Sequence, residues 1–179
     1  MTCSAPAAVA AALGALLCGC GNSSFDEGRV AGVIKERPFN LESEEVSLTQ
    51  GQVDCGVENN LWDAPVEAPG RSVARLTQKA RDLNFTDDVS INEAGYSQPH
   101  AQMRGNVTLA ITQTLSIADG KEQGTKIVQA QIQVMVPHSC FPVPLPIMGI
   151  RRGRPAQGLA PTAEFDYTND GWRLEKFIH

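Results

Sequence analysis

From Ala101 to His138 the chain alternates between apolar and polar positions in two long runs. In the first, odd positions carry the core-type residue: Ala101, Met103, Gly105, Val107, Leu109 and Ile111, then Leu115 and Ile117, with Gln113 the exception. In the second, even positions do so: Val128, Ala130, Ile132, Val134, Val136 and His138. Between them lies the polar stretch Ala118-Asp119-Gly120-Lys121-Glu122-Gln123-Gly124. A period of two, bounded by turn residues, predicts a half-buried antiparallel hairpin. Both strands must present their apolar phase to one face, so an odd position has to lie opposite an even one. Paired residue numbers should then sum to about 243, setting Val107 opposite Val136, Leu109 opposite Val134 and Gly105 opposite His138.

Other patterns are shorter. Val30 to Ile34 reads as a short strand. Leu41 to Asp63 carries two signals. Val53, Cys55 and Val57 alternate as in a strand, whereas Val46, Val53, Val57 and Leu61 share one helical face. Ser47 with Gln50 has capping-box spacing, and the helix is preferred, although Gly51 and Gly56 each weaken a helix interior by about 1 kcal/mol relative to Ala. Arg71 to Leu83 has Val73, Leu76 and Ala80 at helical spacing, which predicts a second short helix. Leu83 and Phe85, then Asp87-Asp88, then Val89 and Ile91 predict a small hairpin. Glu164 to Tyr167 and Trp172 to Ile178 flank Asn169-Asp170-Gly171, a strong hairpin signal.

After His138 the chain changes character. Proline occupies every second position from Pro142 to Pro146. Proline lacks the donor that a central strand needs, so an extended, polyproline-like segment is expected outside the sheet. Together the elements predict an α+β domain. An antiparallel sheet of four to six strands would pack against one or two N-terminal helices. The order of elements suggests a curled sheet around a helix, as in the cystatin or nuclear-transport-factor shape.

A chain of 179 residues suits one domain. Its net charge of -5 is unevenly spread, with ten acids and three bases between Asp26 and Glu67. The only basic cluster is Arg151-Arg152-Gly153-Arg154. A nucleic-acid-binding domain normally presents a basic face, so nucleic acid is not an expected partner.

Ala5 to Gly19 is almost wholly apolar, too short to span a bilayer as a helix but suited to the apolar region of a secretory signal. It ends in Leu17-Cys18-Gly19-Cys20. Here the sequence resembles bacterial lipoproteins, whose lipobox has Leu at -3, a small residue at -1 and Cys at +1. The resemblance covers only the first twenty or so residues. It implies that residues 1–19 are a signal peptide and that Cys20 becomes a lipid-bearing N-terminus. Residues 20–28 would then be a tether and 29–179 a single domain. It also implies a cell-envelope location, anchored in the membrane. Gly21, rather than an inner-membrane-retaining aspartate, points to the outer membrane, facing the periplasm. The other reading is an ordinary secretory signal. Asn22-Ser23-Ser24, Asn84-Phe85-Thr86 and Asn106-Val107-Thr108 would then be glycosylation acceptors.

Cysteine usage follows from this picture. If Cys3 and Cys18 leave with the signal and Cys20 takes lipid, Cys55 and Cys140 remain as a pair in an oxidising compartment, and a disulfide is expected.

Catalytic signals are thin. The three histidines, His100, His138 and His179, are far apart, and no HExxH or CxxC spacing exists. Asp87-Asp88 are neighbours and would point apart on a strand, so a turn is the better reading. No glycine arrangement fits a phosphate, and neither a cofactor nor a metal is expected. The most function-like feature is Phe141 to Arg154. Phe141, Val143, Leu145 and Ile147 precede Arg151, Arg152 and Arg154, which suggests an apolar edge with a basic rim for an envelope protein or the membrane surface. The competing reading is a strap that covers the core. The favoured function is a binding or scaffolding module without catalysis. A carrier of a small apolar ligand under the curled sheet is the alternative, and an enzyme using His138 or His100 the third.

Overall fold

A computed structural model describes residues 25–178 apart from 37, 152–153 and 157–158. Among the described residues the helices are α1 (Glu27–Glu36), α2 (Gln50–Glu58) and α3 (Gln78–Arg81). The strands are β1 (Phe39–Ser47), β2 (Val66–Ala68), β3 (Arg71–Ala74), β4 (Val89–Ile91), β5 (His100–Asp119) and β6 (Thr125–Met135). They continue with β7 (Leu145–Pro146), β8 (Gly149–Arg151), β9 (Arg154–Ala156), β10 (Thr162–Thr168) and β11 (Gly171–Ile178). Nine form one antiparallel sheet in the order β11-β10-β6-β5-β4-β3-β2, with β1 beside β5 and β7 beside β6, while β8 and β9 pair separately. The architecture is thus mostly antiparallel sheet with a few helices. The sheet exceeds the four to six strands expected because β2, β3, β4 and β7 are only two to four residues long, too short for alternation to show.

The central hairpin is β5 and β6. From Thr108 to Ile111 paired numbers sum to 243, and Leu109 lies opposite Val134 as expected. Two bulges then interrupt β5, one between Ile111 and Gln113 and one between Thr114 and Ser116. The first flips the side-chain phase and the second restores it, so Ile117 faces Val128 again. This explains why Gln113 breaks the pattern and why Leu115 is exposed. The expected pairs Val107–Val136 and Gly105–His138 do not form. β6 ends at Met135, two residues before Pro137, and β5 turns to β1, with Val107 opposite Phe39 and Gly105 opposite Leu41.

The proline-rich segment enters the sheet beside β6, on the side away from β5, against the expectation that it stays outside. Gln133 pairs with Pro146 and Val134 with Leu145. The Ile147 N–H donates to the Ile132 carbonyl at 3.0 Å, and the Met148 N–H donates to the Glu45 carbonyl at 2.8 Å. Successive N–H groups of an extended chain point to opposite sides, so two residues tie the strap to β6 and to β1. The alternating prolines, Pro142, Pro144 and Pro146, remove donors ahead of this pair and leave these two intact.

The N-terminal half departs most from its sequence reading. Val30, Val33 and Ile34 are buried on α1, an i, i+3, i+4 spacing that replaces the expected strand. The Asp26 carboxylate, in the described end of the span read as a tether, accepts from the Arg29 N–H at 2.9 Å. Within Leu41 to Asp63, the helix reading holds for Gln50–Glu58 only. The capping box is Thr49 with Gln52, two residues later than the Ser47–Gln50 pattern, which leaves Val46 and Leu48 outside the helix. Of the short helix read over Arg71 to Leu83 only Gln78–Arg81 forms, while Arg71–Ala74 is a strand because Ser72 and Ala74 alternate into the interior. Phe85 does not form a hairpin with Ile91. It bridges to Met103 instead, and β4 pairs with β3 and β5.

The C-terminal hairpin forms as read, with Tyr167 opposite Trp172 and Thr168 opposite Gly171. Gly171 takes φ +99°, which favours glycine at the end of the turn. The core runs through Leu41, Val46, Leu109, Ile132, Val134 and Phe165, all at most 1% exposed.

Candidate functional site

The expected disulfide is present between Cys55 and Cys140, with Cα atoms 5.5 Å apart. It joins α2 to the turn that follows β6. His138 serves that turn, because its Nδ1 accepts from the Cys140 N–H at 3.2 Å. His179 and Cys20 lie outside the described residues.

The strap does not present the exposed apolar edge read from the sequence. Phe141 is 5% exposed, Leu145 0% and Ile147 3%, and only Val143, at 62%, stands out. Phe141 lies against Phe85 and Trp62, at centroid distances of 5.6 and 6.2 Å, and so completes an aromatic cluster. Its backbone path explains the burial. A strand seated between β1 and β6 must turn alternate side chains into the core. The side chains of Arg151, Arg152 and Arg154 lie outside the described residues. In the backbone, Arg151 is paired with Arg154 in the β8–β9 hairpin.

A polar cluster that the sequence pattern did not reveal lies where β1, β3, β4 and β5 meet. His100 opens β5, opposite Ser47 of β1 and Ser90 of β4. Its Nε2 is 3.2 Å from Glu45 Oε1 and 3.3 Å from Glu93 Oε2. Arg71 Nη1 donates to Glu93 Oε2 at 2.9 Å. Tyr96 lies flat on the imidazole, with centroids 3.7 Å apart and planes 15° apart. The Tyr96 hydroxyl donates to Glu45 Oε2 at 3.3 Å. These residues line a depression of about 490 Å³ that also takes in Asp87, Asp88 and Gln102. Asp88, just before β4, accepts from the Leu76 N–H at 2.9 Å, a bond across twelve residues rather than within a turn.

The electrostatics follow from burial. His100 is 6% exposed, and burial holds its pKa below the usual histidine value, against the opposing pull of the Glu93 carboxylate and the Gln98 backbone. Burial raises the Glu45 carboxyl, the Tyr96 hydroxyl lowers it and the Glu93 charge raises it further. Glu93 is held below the ordinary carboxylate value, chiefly by its hydrogen bond from Arg71. His100 Nδ1 is shut off from water without a well-formed hydrogen bond. Among the described residues no group of three or more His, Cys, Asp or Glu side chains is arranged to hold a metal.

A second depression, of about 170 Å³, lies between α1 and β11. Of the odd-phase residues of β5 it takes only Leu109. Met103, Val107 and Leu109 are otherwise packed into the core.

Comparison with known proteins adds no family: no family model, no curated protein and no solved structure matches the chain. No described helix is long and apolar enough to cross a membrane.

Proposed function

We propose that the chain is a lipid-anchored protein of the bacterial cell envelope, facing the periplasm from the outer membrane, whose domain binds or scaffolds a partner. The observation that carries this reading is the Cys55–Cys140 disulfide. Such bonds persist in oxidising compartments, and an apolar run ending in Leu17-Cys18-Gly19-Cys20 supplies the route there. Cys20 precedes Phe25 by five residues, a reach of at most about 18 Å, so the anchor would hold the domain against the headgroups. Phe25, the first described residue, lies against Phe165 and Trp172, with centroid distances of 5.3 and 4.2 Å. The contact element of this reading is the β8–β9 hairpin, separate from the main sheet and carrying Arg151, Arg152 and Arg154 in an otherwise acidic chain. An anionic partner, whether membrane or envelope protein, suits it. The helix-on-sheet arrangement and its analogy to cystatin or nuclear transport factor rest on the burial of Val30, Val33 and Ile34 of α1.

Crosslinking in the native envelope tests the reading, comparing the natural chain with an R151E/R152E/R154E variant. Loss of crosslinks in a variant that stays folded supports it, and unchanged crosslinks refute the arginine contact. A second reading, acid–base chemistry, is favoured by one observation: His100 lies within hydrogen-bonding reach of Glu45 in a depression. His100 is 6% exposed, so this reading requires a movement that exposes the ring.

A further inference from the structure

The depression of about 170 Å³ between α1 and β11 is an apolar cleft with a polar mouth. Val33 and Ile34 of α1, Phe39 of β1, and Trp172 and Leu174 of β11 wall it, above Leu109 of β5. The Trp172 indole apart, these side chains carry no polar atom. Phe39, Trp172 and Leu174 are only partly buried, so apolar surface is left open there. Water in such a space finds few of the two to four polar partners it needs. An apolar occupant gives up less to enter and covers that surface. The exposed Asp170 and Arg173 stand at the mouth.

We infer that this cleft binds the hydrocarbon end of a single-chain amphiphile with an uncharged head. Volume sets the length. An apolar cavity of roughly 150 Å³ takes up benzene, so about six carbons of a straight chain fill this one. Polarity sets the direction, with the chain between α1 and β11 and the head beside Asp170 and Arg173. Charge sets the head. Arg173 Nη2 is 3.0 Å from Glu175 Oε2 and 3.9 Å from Asp166 Oδ2, and Arg29 reaches the side of Gly171. Among the described residues, Asp166, Asp170 and Glu175 thus outnumber Arg29 and Arg173 around the mouth. A carboxylate head is disfavoured, and a hydroxyl or an ester suits the site. All the walls belong to the folded domain, so the inference stands apart from lipid on Cys20 and from the β8–β9 contact.

Proton–nitrogen NMR tests this on the full chain carrying Cys20→Ser, so that no lipid of its own competes. The probes are straight-chain alcohols from propanol to decanol. The Trp172 indole and the amides of α1 and β11 should shift on binding. Trp62, in the cluster with Phe85 and Phe141, should not. Each added methylene should tighten binding about fourfold up to about six carbons, with little gain beyond. Hexanoate should bind more weakly than hexanol. Leu174→Trp occupies the cleft and should weaken hexanol about tenfold or more, the contact of roughly two methylenes. If that variant does not fold, nuclear Overhauser contacts from hexanol to Val33, Ile34 and Leu174 decide. Their presence supports the site and their absence overturns it. No shift with any alcohol, shifts centred elsewhere, hexanoate binding as tightly as hexanol, or binding unchanged by Leu174→Trp also overturns the inference.

Discussion

The Met148 N–H donates to the Glu45 carbonyl at 2.8 Å, and this bond seats the proline-rich strap against β1. The next residue back, Ile147, bonds to β6, so one short segment bridges two strands that would otherwise face a gap. Leu145 and Ile147 fill the core beneath it.

Truncating these side chains should therefore cost stability. Each large-to-small change at such a site costs about 2–5 kcal/mol, and serine adds a buried hydroxyl. The double variant L145S/I147S is expected to melt roughly 10 °C or more below the natural chain by circular dichroism. Val143→Ser, on the exposed side of the same strap, should stay within about 0.5 kcal/mol. Equal effects at buried and exposed positions would contradict the seating described.

Gly51 and Gly56 share α2 but should respond oppositely to alanine. A Cβ on Gly56 would lie 2.1 Å from Trp62 Cε2, and Trp62 is buried with its Nε1 donating to the Val53 carbonyl at 2.8 Å. Gly56→Ala must displace that ring, and a loss of about 2 kcal/mol or more is expected in denaturant melts. Nothing lies within 4 Å of a Cβ on Gly51, so Gly51→Ala should gain up to about 1 kcal/mol.

These glycines show where sequence reading stops. Both count as weaknesses of a helix in the sequence, and only the fold separates an open site from one filled by an indole. The central hairpin was legible because Leu109 and Val134 sit in long, phased runs that few other structures satisfy. The Cys55–Cys140 pairing was legible by counting. The short strands were not, since three residues carry almost no periodicity. The polar cluster was hidden for another reason. Glu45, Arg71, Glu93, Tyr96 and His100 come from different elements, and no spacing along the chain joins them. Prolines in the strap misled because donor loss excludes a strand only at the positions that must donate, and Ile147 and Met148 are not proline.

The disulfide closes a loop with a sequence separation of 85. In the chain-entropy model this contributes about 4–5 kcal/mol. A C55A/C140A variant should lose stability of that order in denaturant titration. Thiol labelling of the natural, non-reduced chain should find both cysteines unreactive.

Stability should decline on mild acidification. His100 has a folded pKa below 6.5, so the unfolded chain binds its proton more readily. The contribution is complete above 6.5 and is lost as the pH falls through the folded value. Glu93, held below 4.5, adds a loss of the same sign at lower pH. Glu45 acts oppositely, because its raised value penalises the folded state at high pH and the penalty eases on acidification. Melting curves between about pH 7.5 and 5 should show a falling midpoint that His100→Gln flattens. A midpoint that rises over this window would reverse the assigned order of effects.

Lipid on Cys20 would hold the protein at a membrane, and the intact mass of the mature chain purified from its membrane fraction tests this. The mature chain is expected to begin at Cys20 and to be heavier than its sequence by the acyl groups on the sulfur and the amine, with a Cys20→Ser variant released from the membrane. An unmodified N-terminus at another residue, or a natural chain found in the soluble fraction, would contradict it.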